Sequence, residues 1–115
     1  MYPVQVKLIR RKNGLVVRLN GELDHHTATV FREVIDKELS KNLVHNLVVN
    51  FENLTFMDSS GIGAILGRYR QVKAKGGKMV FCGLSEHIKK IMQLGGLLTI
   101  IPVCSDENKA LASLL

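Results

Sequence analysis

Apolar and polar positions alternate near the start of the chain, where Val4, Val6 and Leu8 are interleaved with Gln5, Lys7 and Ile9. A period of two is the mark of a half-buried edge strand. Asn13-Gly14 follows, and both residues tolerate the positive φ that a tight hairpin turn demands. Leu15 to Leu19, with Leu15, Val17 and Leu19 on one face, then reads as the returning antiparallel strand, ended by Gly21-Glu22-Leu23-Asp24. The spacing now changes: Phe31, Val34, Ile35 and Leu39 recur at three and four residues, while Arg32, Glu33, Asp36, Lys37 and Lys41 fall on the opposite side. That pattern predicts a helix over residues 26–40, with Asp24 or Thr27 as its cap and Asn42 as its stop.

Leu47 to Phe51 shows almost no alternation, the signature of a strand buried on both faces of a parallel sheet. A short polar connection leads through Phe56-Met57 to Asp58-Ser59-Ser60-Gly61, after which Ile62, Ile65, Leu66 and Tyr69 mark a helix over residues 60–75, stopped by Gly76-Gly77. Lys78 to Cys82 reads as another buried strand. Ser85 is placed to cap a helix with the stripe Ile88, Ile91 and Met92, and Gly95-Gly96 ends it. Leu97 to Val103, closed by Pro102, predicts a short edge strand. Ser105 is the candidate cap of a last helix, with Asp106 and Glu107 in its first turn and Leu111, Leu114 and Leu115 docking it. The order β-β-α-β-α-β-α-β-α is that of one α/β domain over residues 1–115.

Composition changes this picture little. The chain has 115 residues, 46% hydrophobic and 23% charged, enough for one core without a staple. No apolar run reaches the roughly 18 residues that span a bilayer, and the start, Met1-Tyr2-Pro3, leads into alternation rather than a signal-peptide core. A cytoplasmic protein without stable membrane insertion is expected. The net charge of +6 is concentrated in Arg10-Arg11-Lys12 and around Gly76-Gly77, where lysines are ordinary solvated turn residues. Without interleaved aromatics it argues against direct nucleic-acid binding. Cys82 and Cys104 are expected as reduced structural thiols; a disulfide is formally open, but nothing else in the chain points to an oxidising compartment.

The chemistry gathers at the start of the second predicted helix. Met57 occupies the place where a nucleophile elbow needs glycine, and no histidine completes a triad, so hydrolase chemistry is disfavoured. The stretch also lacks the lysine and the glycine spacing of a phosphate-binding loop. One cap explains one polar residue among Asp58, Ser59 and Ser60, which leaves a hydroxyl exposed as a phosphoacceptor or a binding contact. Gly61, Gly63 and Gly67 each cost a helix roughly 1 kcal/mol relative to alanine. Close packing of the helix against the sheet is one reading of the three, Gly67 above all; the other is that Gly61 and Gly63 clear the first turn for a macromolecule, and the two can hold together. The pair His25-His26 finds no third ligand at a diagnostic spacing, so no metal site is expected. It lies beside the end of the second strand, which puts Asp24 and His25 near Ser59.

Gly21-Glu22-Leu23-Asp24-His25-His26-Thr27, Phe56-Met57-Asp58-Ser59-Ser60-Gly61-Ile62-Gly63 and Leu66-Gly67-Arg68-Tyr69 resemble the anti-sigma factor antagonists of spore-forming bacteria, members of the STAS-domain family. The doubled histidine narrows the resemblance to the sporulation branch. It implies a mixed β-sheet whose first strand is antiparallel to the rest, with helices mainly on one face. It also implies a phosphoprotein that is not itself an enzyme. The unphosphorylated form would bind an anti-sigma factor that is a serine kinase and so release a sporulation sigma factor. Phosphorylation would inactivate it, and a serine phosphatase would restore it. Matched to the motif, Ser59 is the phosphoacceptor, and Glu22, Asp24, His25, Thr27, Asp58, Ser60, Gly61, Ile62 and Gly63 are the expected partner contacts. No cofactor is bound by the chain itself, since ATP and Mg²⁺ come with the kinase. The competing expectation is a module of the same fold whose Asp58 to Gly63 turn captures an anion or a nucleotide, as a ligand-binding or scaffold domain.

Overall fold

The computed structural model describes residues 4–41 and 45–115. Its elements are β1 (Gln5–Arg11), β2 (Gly14–Leu23), α1 (Ala28–Ser40), β3 (Leu47–Met57), α2 (Ser59–Ala74), β4 (Met79–Cys82), α3 (Glu86–Leu94), a single 3-10 turn (Leu97–Thr99), β5 (Val103–Cys104) and α4 (Glu107–Ala112). The strands form one sheet in the order β1-β2-β3-β4-β5, with β1 antiparallel to β2 and every later pair parallel. The expected element order and mixed sheet are therefore present. The expected stop at Asn42 and the segment Met1-Tyr2-Pro3 lie outside the described residues.

Because side chains alternate across a strand, the sheet has two apolar faces, and different helices cover them. Leu15, Val17 and Leu19 of β2, Val49 and Phe51 of β3 and Phe81 of β4 pack with Phe31 and Ile35 of α1, Ala64 and Ile65 of α2 and Ile88 and Met92 of α3. Val16, Val48, Val80 and Cys82 point the other way, into a smaller cluster closed by Ala110, Leu111 and Leu114. Three helices thus share one face, and α4 alone covers part of the other. Leu115 does not join it; the residue is exposed.

The rest of that second face is polar, through one ion pair in particular. Arg18 of β2 donates to both carboxylate oxygens of Glu107, at 2.6 and 2.8 Å, and Asn50 Nδ2 donates to Glu107 at 2.7 Å. Arg18 thus supplies polarity to this face. Arg10 instead serves the helical face, where it reaches Glu38 of α1 at 2.6 Å beside Lys41 at 3.0 Å.

The hydrogen bond from Arg18, and then that from Asn50, hold the Glu107 carboxyl down at about 2, against an ordinary 4.5. A carboxylate depressed in the folded state stabilises the fold above its unfolded pKa, and that contribution is lost as pH falls from about 4.5 toward 2. Replacing Glu107 with Gln is expected to flatten the acid limb of the stability curve over that window. At neutral pH it should cost about 1–2 kcal/mol, discounted because Arg18 is partly solvated. Denaturant unfolding at a series of pH values measures both effects.

Three expected boundaries shift for physical reasons. β3 continues to Met57 instead of ending at Phe51, because its pairing with β2 slips twice, between Arg18 and Asn20 and between Gly21 and Glu22. Each slip leaves an extra residue in β3, so Phe51, Leu54 and Met57 reach the same core at three-residue spacing while the residues between them are exposed. The segment 97–103 opens with a 3-10 turn, Leu97–Thr99, and the strand begins after Pro102, at Val103–Cys104. Asp106 rather than Ser105 caps α4, accepting from Lys109 N at 2.9 Å, whereas Ser85 caps α3 as expected.

Candidate functional site

Leu23 and Met57 are partners in the parallel β2–β3 ladder, so the loops that leave these strands emerge side by side at one end of the sheet. Ends of parallel strands are where open α/β sheets place their sites. One residue joins the two loops. Asp58 Oδ1 accepts from Ser60 N at 2.9 Å and Gly61 N at 3.2 Å, capping α2, while its Oδ2 accepts from His25 N at 3.1 Å. Its own amide donates to Leu23 O at 3.3 Å.

The 24–27 loop is shaped by a second carboxylate. Asp24 Oδ1 accepts from His26 N at 2.9 Å and Thr27 N at 3.0 Å, and these bonds, Thr27 first, hold the Asp24 carboxyl below its usual range. Thr27 stands at the N-cap position of α1, but its side chain makes no cap bond to the helix. Instead its hydroxyl donates to Glu22 O at 2.7 Å and accepts from Asp24 N at 2.9 Å. Thr27 is buried, so the expectation of a partner contact is corrected: it fixes the loop from beneath.

Gly61 is corrected in the same way. A Cβ there would lie 2.6 Å from Leu23 O and 2.7 Å from Met57 Cγ, so the missing side chain lets α2 sit down on the strand ends. Gly63 and Gly67 have nothing within 4 Å of an added Cβ, which reverses the expectation that packing explains Gly67. Ser59, Gly63 and Gly67 are four residues apart and follow one line along α2. Ser59 is exposed, and among the described residues its hydroxyl has no hydrogen-bond partner.

His25 is exposed, with its ring edge-on to His26 at 5.2 Å, whereas Glu22, Asp24, Asp58, Ser60 and Ile62 are half-buried. The structure therefore gathers Asp24, His25, Asp58, Ser59, Ser60 and Gly63 into one surface. One neighbour escaped the sequence reading. Ile62 packs against Gly95, where a Cβ would come within 3.0 Å of Ile62 Cδ1, and the adjoining Leu94 is 90% exposed. The available signal was an apolar residue lying off its own helix's stripe. No group of three or more His, Cys, Asp or Glu side chains among the described residues could hold a metal ion.

Replacing Asp58 with Ala would leave the Ser60 and Gly61 amides uncapped and free the 24–27 loop from α2. A loss of about 1–2 kcal/mol in denaturant unfolding is expected. Replacement by Asn keeps one acceptor for the Ser60 and Gly61 amides but turns a donor NH2 toward the His25 amide, so it should recover the cap's share of the loss and not the tie to the 24–27 loop.

The sequence matches the STAS domain family over residues 5–110. The chain belongs to that family. It is 38% identical over 111 residues to an anti-sigma F factor antagonist of Paenibacillus polymyxa, covering 96% of this chain and 95% of that protein. Two solved structures share the fold at similar depth. One, SpoIIAA in its unphosphorylated form, superposes with a TM-score of 0.73 at 31% identity, covering 96% of this chain and 94% of that one. The other, the Bacillus cell fate determinant SpoIIAA in the phosphorylated form, gives 0.75 at 33% identity, covering 97% and 99%. STAS domains of this kind have the five-stranded mixed sheet found here, with β1 antiparallel to the parallel remainder.

Proposed function

We propose that this STAS domain is an anti-sigma factor antagonist whose unphosphorylated form binds an anti-sigma factor serine kinase and whose phosphorylation at Ser59 ends that binding. The observation that carries this reading is the exposed, unpartnered Ser59 hydroxyl at the first position of a helix that Asp58 caps and ties to the 24–27 loop. The similarity to named antagonists over almost the whole chain supports it. So does the pair of SpoIIAA structures, one in each phosphorylation state, that share this fold. The chain acts as substrate, not catalyst: the kinase brings ATP, Mg²⁺ and the base that accepts the serine proton. A serine phosphatase reverses the step. No helix of the described residues is long and apolar enough to cross a membrane, which is compatible with a cytoplasmic role.

The physics of the switch follows from what surrounds Ser59. Neither 22–31 nor 53–67 contains a lysine or an arginine. A phosphate on Ser59 would meet the helix N-terminus, which favours it, and the Asp58 carboxylate, which opposes it, with no lysine or arginine offered by either of these two segments. Its charge of about −1.5 to −2 would thus face outward into the partner surface, weakening the complex by repulsion and desolvation without a rearrangement of this domain. Binding of the chain to a cognate anti-sigma kinase, measured by calorimetry before and after quantitative phosphorylation, tests the reading. Equal affinity of the two forms would overturn it.

A second reading, a ligand-binding module, is favoured by one observation. A cavity of about 850 Å³ opens on the sheet face that α4 partly covers, lined by polar groups that include Arg11, Arg18, Asn53 and Ser85. Residues 58–63 are not in its wall, so a ligand held there would occupy a site separate from the Asp58 to Gly63 turn. Direct titration with nucleotides distinguishes the two.

A further inference from the structure

The two cysteines, 22 residues apart in sequence, are partners in the β4–β5 ladder: Phe81 pairs with Val103 and Cys82 with Cys104. Register partners on adjacent parallel strands project to the same face, and both thiols pack in the small cluster beneath α4. Neighbouring strands run about 4.8 Å apart, inside the roughly 4.4–6.8 Å range of Cα separations that a disulfide spans, and closing the bond asks the edge strand to move so that the two Cβ atoms come within about 3.5–4.5 Å. The ladder they share is the shortest in the sheet, two residue pairs long. Cys104 is half-buried and belongs to the wall of an open cavity of about 370 Å³ that also holds Lys89 and Ser105, so of the two cysteines it is the one nearer to solvent. Cys82 is fully buried, and burial pushes its thiol up to about 12. The two sulfurs therefore differ in role: Cys104 meets the reagent, and Cys82 waits behind it.

We propose that Cys82 and Cys104 form a redox-sensitive dithiol that closes into a disulfide across β4 and β5 when it meets a small-molecule disulfide of the glutathione type. Cys104 loses its proton to solvent, and its thiolate attacks one sulfur of oxidised glutathione, breaking that S–S bond and releasing one glutathione thiolate, which takes up a proton. Cys82 then gives up its proton as its sulfur attacks Cys104 Sγ in the mixed disulfide and expels the second glutathione thiolate. Two protein thiols are oxidised and one oxidised glutathione is reduced to two thiols. The closed form fastens the edge strand, and with it the approach to α4, to the centre of the sheet, while the thiol form leaves this edge held by two ladder pairs.

The test equilibrates the folded, full-length chain in buffers of graded reduced-to-oxidised glutathione ratio, quenches with acid, and reads intact mass and peptide maps. The expected product is a monomer lighter by two hydrogens, with the peptides carrying Cys82 and Cys104 joined and with a higher thermal unfolding midpoint than the reduced chain. In the Cys82→Ala variant a stable glutathione adduct should accumulate on Cys104. In the Cys104→Ser variant, which changes a half-buried position and keeps the core intact, Cys82 should stay unmodified. A wild-type chain that accumulates the Cys104 adduct with Cys82 still free, that links between chains, or that reacts at neither sulfur under the most oxidising buffer would overturn the proposal.

Discussion

Replacing Ser59 with Ala is expected to abolish phosphate incorporation by the anti-sigma kinase while leaving the fold and the binding intact. Ser59 is exposed and its hydroxyl bonds to nothing among the described residues, so its loss should move the unfolding free energy by no more than about 0.5 kcal/mol. The variant should therefore remain a binder that the kinase cannot discharge. In contrast, Ser60→Ala should still be phosphorylated, because Ser60 contributes its backbone amide to the Asp58 cap and the substitution keeps that amide. An aspartate at Ser59 should weaken binding less than phosphate does, since it carries one charge where phosphate carries about −1.5 to −2. Intact mass with site mapping, run on the wild type and the two alanine variants together, checks this. Undiminished phosphate on Ser59→Ala would place the acceptor elsewhere.

The second large effect is expected from two glycines that look alike in the sequence and stand two residues apart. Gly61→Ala drives a Cβ to 2.6 Å from a backbone oxygen, that of Leu23, and to 2.7 Å from Met57 Cγ. The methionine can give way more easily than the strand end, so α2 must tilt off the sheet, at a cost of about 3 kcal/mol. Gly63→Ala meets nothing within 4 Å and removes a helix-interior glycine, so it should be neutral or stabilise by up to about 1 kcal/mol. If the line through Ser59 and Gly63 is the kinase's path of approach, Gly63→Ala will weaken binding in spite of its sound fold. Urea midpoints separate the two variants, and calorimetry with the kinase reads the second effect. A Gly63→Ala protein that binds as tightly as wild type would confine the partner surface to the helix tip and the 24–27 loop.

How much of this could be read from the residues depends on whether the physics was local. The helix stripes and the unbroken run at Leu47 state their structure within a few residues, and the elements they predict are present in the expected order; the hairpin is present too, but its turn falls on Lys12-Asn13, with Gly14 already paired in β2 and not at positive φ. The far half of β3 was hidden because its core spacing of three comes from two slips against β2, and a slip is a property of two strands, not of one. Gly61 and Gly63 could not be told apart for a similar reason: what decides between them is Leu23, thirty-eight residues upstream of the nearer one. The candidate site divides along the same line. That one of Asp58, Ser59 and Ser60 caps the helix was visible in the residue types, whereas the choice of Asp58 came with the structure, and its bond to His25 and the burial of Thr27 exist only once β2 and β3 are paired.

The order of the strands bears on how the protein behaves among its own copies. A sheet numbered one to five from edge to edge leaves its first and last strands with a row of unpaired backbone groups, a template on which another chain could add a strand. Here β5 is two residues long, too short to template much, while β1 carries Lys7, Arg10 and Arg11 along a seven-residue edge. Like charges brought face to face oppose pairing between two such edges, so the positive charge at the hairpin acts against edge-to-edge association. An edge so charged is a poor template for a second copy of the chain along this flank.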